Sequence, residues 1–131
     1  MKLLLDTHIL LWSLLEPALL SKRVASELED PSNEIWLSPV TIWEVLILAE
    51  KRRIILTPDP FAWIRNVLKT TPLREAPLNY EVAIQSRALD LRHQDPVDRF
   101  LAATALVYEL TLVTADERLL GSRKFSTLAN K

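Results

Sequence analysis

The sequence predicts an α/β fold, a three-layer α/β/α sandwich with a central parallel sheet. Two patterns lead there. Short apolar runs alternate with longer helical stretches along the whole chain, which is the signature of a parallel sheet covered on both faces. Helix starts are also written clearly: Ser38-Pro39, Asp59-Pro60 and Asp95-Pro96 each place a capping side chain before a proline. Proline at the first helical position loses no hydrogen bond and is already set to the helical φ.

Element by element, residues 2–5 read as a short buried strand, and 7–15 as a buried helix stopped by Pro17. Ser21 caps a helix running to about Glu29, before Asp30-Pro31 breaks it. Residues 35–37 form the next strand. A helix follows from Pro39 to about Arg52, and Lys51, Arg52 and Arg53 complement its dipole. Asp59-Pro60 opens a helix through about Leu68, and a short extended piece lies near Leu73. Asn79 caps a helix from Tyr80 to about Leu89, and Asp95-Pro96 opens one to about Glu109. Residues 111–114 form a strand, with a short helix from Asp116 to Leu120.

The 131 residues suit one domain, spanning 1–131, with a core of its own. Cysteine is absent, so disulfides and thiolate zinc sites are excluded, and only His8 and His93 carry imidazole. Gly121 is the single glycine. A P-loop, a dinucleotide fingerprint and a G-x-S-x-G elbow all need more. The apolar start resembles a signal peptide, but Asp6 and His8 interrupt it. No run reaches the roughly 18 apolar residues of a membrane span. The expected location is the cytoplasm, with no membrane partner.

Four acids stand beside apolar segments. Asp6 ends the first strand, Glu44 lies within Ile42-Trp43-Glu44-Val45-Leu46, Asp98 opens Arg99-Phe100-Leu101-Ala102, and Asp116 closely follows Leu112-Val113. A carboxylate beside a core is costly without a cationic partner, and no basic residue neighbours all four. A hard divalent cation, Mg²⁺ or Mn²⁺, is the economical partner for converging carboxylates. In an open α/β sheet the functional crevice lies at the carboxyl ends of the strands, where these positions fall. Plainer roles exist. Asp6 can cap the first helix, Asp98 can be the third residue of a capping box opened by Asp95, and Asp116 can cap a short helix. Glu44, flanked at helical spacing by Val40, Thr41, Ile47 and Leu48, has no such role. The net charge of −1 gives no basic signature of nucleic-acid binding, although bound metal offsets part of an acidic cluster.

These residues, in this order, resemble the PIN-domain ribonucleases, and among them the VapC-type toxins of bacterial toxin–antitoxin pairs. The matching pieces are Leu3-Leu4-Leu5-Asp6-Thr7-His8, Ser38-Pro39-Val40-Thr41-Ile42-Trp43-Glu44, Asp95-Pro96-Val97-Asp98-Arg99-Phe100-Leu101-Ala102 and Leu112-Val113-Thr114-Ala115-Asp116. The resemblance implies an Mg²⁺- or Mn²⁺-dependent endoribonuclease with Asp6, Glu44, Asp98 and Asp116 as catalytic and metal-binding acids. It makes Thr7 and Thr114 hydroxyls that support the acids or contact phosphate. It also implies an RNA substrate, a homodimer and a cognate antitoxin whose tail lies over the acidic edge. Arg99 either contacts the scissile phosphate or pairs with Asp95 at the surface. Lys51-Arg52-Arg53 either complements its helix dipole or forms part of an RNA track. His8 and most of Trp12, Trp36, Trp43 and Trp63 are expected to pack, and His93 to sit in a loop. Two other readings stand beside this one: a receiver-like signalling domain phosphorylated on Asp59, and a PIN module that binds RNA or protein without cleavage.

Overall fold

Leu3, Leu4 and Leu5 are almost sealed from solvent, and they alternate between two hydrophobic layers. Side chains on a strand point to opposite faces in turn. Leu4 joins Leu112, Val82, Leu101 and Ala102 on one face, and Leu3 and Leu5 join Val113, Ile9, Leu10, Val24 and Val45 on the other. Each fully buried leucine contributes roughly 1.5–3 kcal/mol. A strand apolar on both faces must lie at the centre of a covered sheet.

The computed structural model describes residues 1–131. In chain order the elements are β1 (Lys2–Leu5), α1 (Thr7–Leu15), α2 (Lys22–Glu29), β2 (Glu34–Leu37), α3 (Pro39–Glu50), α4 (Pro60–Thr70), β3 (Leu73–Glu75), α5 (Tyr80–Ala88), α6 (Pro96–Tyr108), β4 (Thr111–Thr114) and β5 (Ser126–Ala129). All strand pairs are parallel, in the order β3-β2-β1-β4-β5. Leu4 pairs with Trp36 on one side and Leu112 on the other. No helix is long and apolar enough to cross a membrane.

The predicted caps form as hydrogen bonds. Ser21 accepts from the Val24 amide at 3.1 Å, Ser38 from Val40 at 3.1 Å, Asp59 from Ala62 at 2.9 Å and Asn79 from Val82 at 2.9 Å. Each such cap is worth about 1 kcal/mol. Helix ends fall within two residues of expectation.

Two features differ from expectation. Residues 117–121 form turns where a short helix from Asp116 to Leu120 was expected. Asp116 Oδ1 accepts the Arg118 amide at 2.9 Å, and this local Asx turn competes with helix propagation. Gly121, at φ +84°, then carries the chain away in the left-handed region. The edge strand β5 was not expected, because Ser-Thr-Leu-Ala has no strong pattern. Pairing with β4 makes it a strand, and Asn130 anchors its end by accepting from the Ser21 amide at 2.7 Å and donating to the Leu19 carbonyl at 3.0 Å.

The order 3-2-1-4-5 differs from the 2-1-3-4-5 order of receiver folds. Asp59 is exposed at the start of α4 and serves as its cap, so the receiver-like reading lacks both its sheet and its acid.

Candidate metal centre

The chain reverses its direction of travel across the sheet between β1 and β4. Open sheets bind ligands at such a switch point, beyond the strand carboxyl ends. Asp6 leaves β1 there, and Asp116 follows β4 by two residues. Asp98 lies in the first turn of α6, and Glu44 about a turn and a half into α3. Asp6, Glu44, Asp98 and Asp116 all line one cavity of about 390 Å³, with Thr7, His8, Trp12, Asp95, Ala115 and Arg118.

Asp6 serves two partners at once. Oδ1 accepts from the Ile9 amide at 2.9 Å and so caps α1, while Oδ2 accepts a short hydrogen bond from the Thr114 hydroxyl. Burial pushes its carboxyl above the ordinary range, against the lowering effect of those two bonds. The capping and cavity-lining readings of Asp6 therefore hold together.

Asp98 is likewise raised, first by burial, with its hydrogen bond to His93 opposing. Asp95 accepts the Asp98 amide at 3.1 Å, but the Asp98 carboxylate turns to His93 Nε2 at 2.5 Å and makes no reciprocal capping bond. Asp116 is lowered, chiefly by its hydrogen bonds to Arg118, whose guanidinium lies 2.8 Å from Oδ2. Glu44 belongs to none of the ion pairs.

A histidine joins two of the acids. One ligand atom each from His93, Asp98 and Asp116 lie within 4.8 Å of one another. Asp6 and Glu44 occupy the surrounding wall. This donor set fits a divalent cation. The carboxylates gathered here are hard oxygen donors, burial holds Asp6 and Asp98 above the ordinary range, and the buried Thr7 hydroxyl beside Asp6 has no hydrogen-bond partner.

Several expected roles need correction. Arg99 neither faces a phosphate nor pairs with Asp95. It is 3% exposed, and its guanidinium donates to the carbonyls of Ser86 at 2.7 Å, Leu89 at 2.8 Å, Leu91 at 2.5 Å and His93 at 3.0 Å. A planar fork with five donors suits that cage of carbonyls. Arg118, 65% exposed at the side chain, is the guanidinium that lines the cavity. Thr114 is fully buried, with its hydroxyl committed to Asp6 and to accepting the Asp116 amide at 3.0 Å, so it positions acids and does not contact phosphate. His8 is exposed on the cavity wall, its ring tilted 5.8 Å from Trp12. His93 is in a loop as expected, yet 6% of its side chain is exposed and it reaches into the acids. Only its position five residues before Asp98 hinted at this.

The sequence matches the PIN domain family over residues 3–122. It is 32% identical, over 92% of this chain and 91% of the relative, to the ribonuclease VapC22 of Mycobacterium tuberculosis. Similar solved structures include VapBC2 from Rickettsia felis bound to a DNA fragment from its promoter, at a TM-score of 0.74 and 15% identity, covering 98% of both chains. DNA-bound VapBC from Salmonella typhimurium aligns at a TM-score of 0.72 and 19% identity, again covering 98% of both. A toxin–antitoxin complex from Klebsiella pneumoniae aligns at 0.67 and 22% identity, covering 98% of this chain and 97% of that one. At these identities the structural likeness speaks for the fold.

Proposed function

The chain belongs to the PIN-domain family, and on that premise we propose that it is a metal-dependent endoribonuclease and the toxin of a toxin–antitoxin pair. We read residues 1–131 as a single PIN domain acting in the cytoplasm. One observation carries the reading. Four acids from separate elements line one cavity at the sheet's switch point, in a chain 32% identical over 92% of its length to a ribonuclease.

The geometry supports the following roles. Asp98 and Asp116, which lie within ligand reach of each other, would hold Mg²⁺ or Mn²⁺. Such an ion, when bound, supplies a water of lowered pKa and offsets charge on the phosphate. Asp6 faces the same cavity with its orientation set by Thr114 and the Ile9 amide, so it meets the ion without rotamer search. Glu44, free of ion pairs, is the carboxylate available to orient a water. The unpartnered Thr7 hydroxyl, sealed from solvent beside Asp6, is read as a group that supports the acids. Arg118 offers the rim a mobile positive charge for the incoming phosphodiester, at the expense of its pair with Asp116.

A cognate antitoxin is the proposed protein partner, covering the acidic edge with basic side chains. A second copy of the chain is proposed to cover the apolar groove formed by Val40, Trp43, Leu78, Val97 and Phe100, where Trp43 is 57% exposed.

RNA cleavage measured with Mg²⁺ or Mn²⁺, with and without chelator, tests the reading in wild type and Asp6→Asn. Cleavage that survives chelator, or full activity in Asp6→Asn, overturns it. Size-exclusion chromatography of the purified chain, and co-purification with the product of an adjacent small gene, test the two partners.

A further inference from the structure

The loop between α5 and α6 is held more firmly than a surface connection requires. Arg99 places a buried guanidinium beneath it and donates to the carbonyls of Leu89, Leu91 and His93. A buried cation is costly unless its donors are satisfied, and here they are used on the last turn of α5, through Ser86, and on this short segment. The segment delivers the His93 ring, 6% exposed, with Nε2 2.5 Å from Asp98 Oδ2 and 3.9 Å from Asp116 Oδ2.

Those separations bring the three groups near the spacing of ligands on one ion. Ligand atoms about 2.1 Å from an octahedral cation lie about 3 Å apart when adjacent and about 4.2 Å apart when opposite. His93 Nε2 lies 3.9 Å from Asp116 Oδ2, inside that range, and 2.5 Å from Asp98 Oδ2, a hydrogen-bonded contact that opens by about 0.5 Å if both atoms bind one ion; one ligand atom from each of the three residues lies within 4.8 Å of the others. The acids alone form an all-oxygen set, and the imidazole changes its character. Nitrogen donors favour first-row transition ions, whereas Mg²⁺ keeps oxygen ligands and water. Mn²⁺ accepts both kinds.

We propose that His93 is a nitrogen ligand of the ion held by Asp98 and Asp116, and that it tilts this centre toward Mn²⁺ over Mg²⁺. Binding would replace the Nε2–Asp98 hydrogen bond: the ring would keep its one proton on Nδ1 and offer the Nε2 lone pair to the ion, while Arg99 keeps the ring in place by fixing the loop backbone. The proposal rests on the reading that the cavity holds a divalent cation, but not on RNA being the substrate.

Pulsed electron paramagnetic resonance of the full chain loaded with Mn²⁺ reads the ligand directly. The expected spectrum shows ¹⁴N coupling in wild type and in His8→Ala, and loses it in His93→Ala and His93→Gln. Calorimetry with each metal alone is expected to show Mn²⁺ affinity falling about tenfold or more in both His93 variants, with Mg²⁺ affinity changing less than about threefold. Absence of ¹⁴N coupling in Mn²⁺-treated wild type, its persistence without His93, or equal losses for the two metals overturns the assignment. The wild-type spectrum needs no variant to fold. If ¹⁴N coupling is present and RNA is not cleaved, the nuclease reading fails while the ligand assignment stands.

Discussion

The hydroxyl of Thr114, at the end of β4, donates to the carboxylate of Asp6, just beyond the end of β1. The same oxygen accepts the Asp116 amide at 3.0 Å, so one buried threonine sets two acids that lie far apart in the chain. Thr114→Val keeps the shape and removes both bonds. Leaving a buried carboxylate and amide short of partners costs roughly 1–3 kcal/mol. The variant is expected to melt several degrees lower in chelator and to lose at least about tenfold in cleavage rate, as supporting groups around a metal site typically do. Thr114→Ser restores most of both. A Val variant with wild-type melting and rate contradicts this role.

The raised carboxyl of Asp6 sets the sign of a pH effect in the metal-free protein. Its folded pKa lies above the unfolded value of 3.8 because of burial. Its contribution to stability is therefore full below about pH 3.8 and is lost as pH rises through the folded pKa. Asp6→Asn removes that ionisation and keeps a cap oxygen for Ile9. In chelator at neutral pH the variant is expected to melt a few degrees above wild type, with the advantage vanishing near pH 4. Thermal scans across that window check it. An advantage that grows on acidification runs against the argument.

Removing Arg99 should unfasten a whole loop. Truncation to Ala leaves the carbonyls of Ser86, Leu89, Leu91 and His93 without their donor. A loss of about 3 kcal/mol or more is expected, in the range that diagnoses a broken buried network. Arg99→Lys is expected to recover little, since a point charge cannot replace a planar fork. Denaturant titration reports the stability, and hydrogen exchange should show residues 89–95 opening in Arg99→Lys while β1 stays protected.

Arg118 is expected to affect substrate more than stability. Its pair with Asp116 is largely exposed, and such pairs contribute little. Arg118→Ala should shift the melting temperature by no more than about 2 °C. It should raise KM for RNA several-fold with a smaller change in kcat, since a rim cation steers and holds phosphate. Steady-state kinetics at two salt concentrations distinguish this from a structural loss.

Much of the architecture was legible in the chain. Leu3-Leu4-Leu5 has no polar face, so β1 had to lie inside a covered sheet, and the Ser-Pro and Asp-Pro pairs marked helix starts by local chemistry alone. Asp6, Glu44, Asp98 and Asp116 were legible as candidates because acids beside apolar runs need a reason. Arg99 was misread because a carbonyl cage drawn from residues 86–93 leaves no local pattern. Asp116 looked like a helix start, and only the Asx turn that its own side chain forms shows otherwise.

By itself, then, the sequence determined the layers, the helix starts and the identity of the acids, all of which follow from interactions over a few residues. Tertiary structure alone decided that His93 meets Asp98 and Asp116, that Arg99 is spent inside the protein while Arg118 faces the cavity, and that β5 pairs with β4. Those outcomes depend on where the α5–α6 loop and the chain end come to rest against the sheet. A contact whose geometry is set by packing across distant segments has no period or spacing by which the linear chain could announce it.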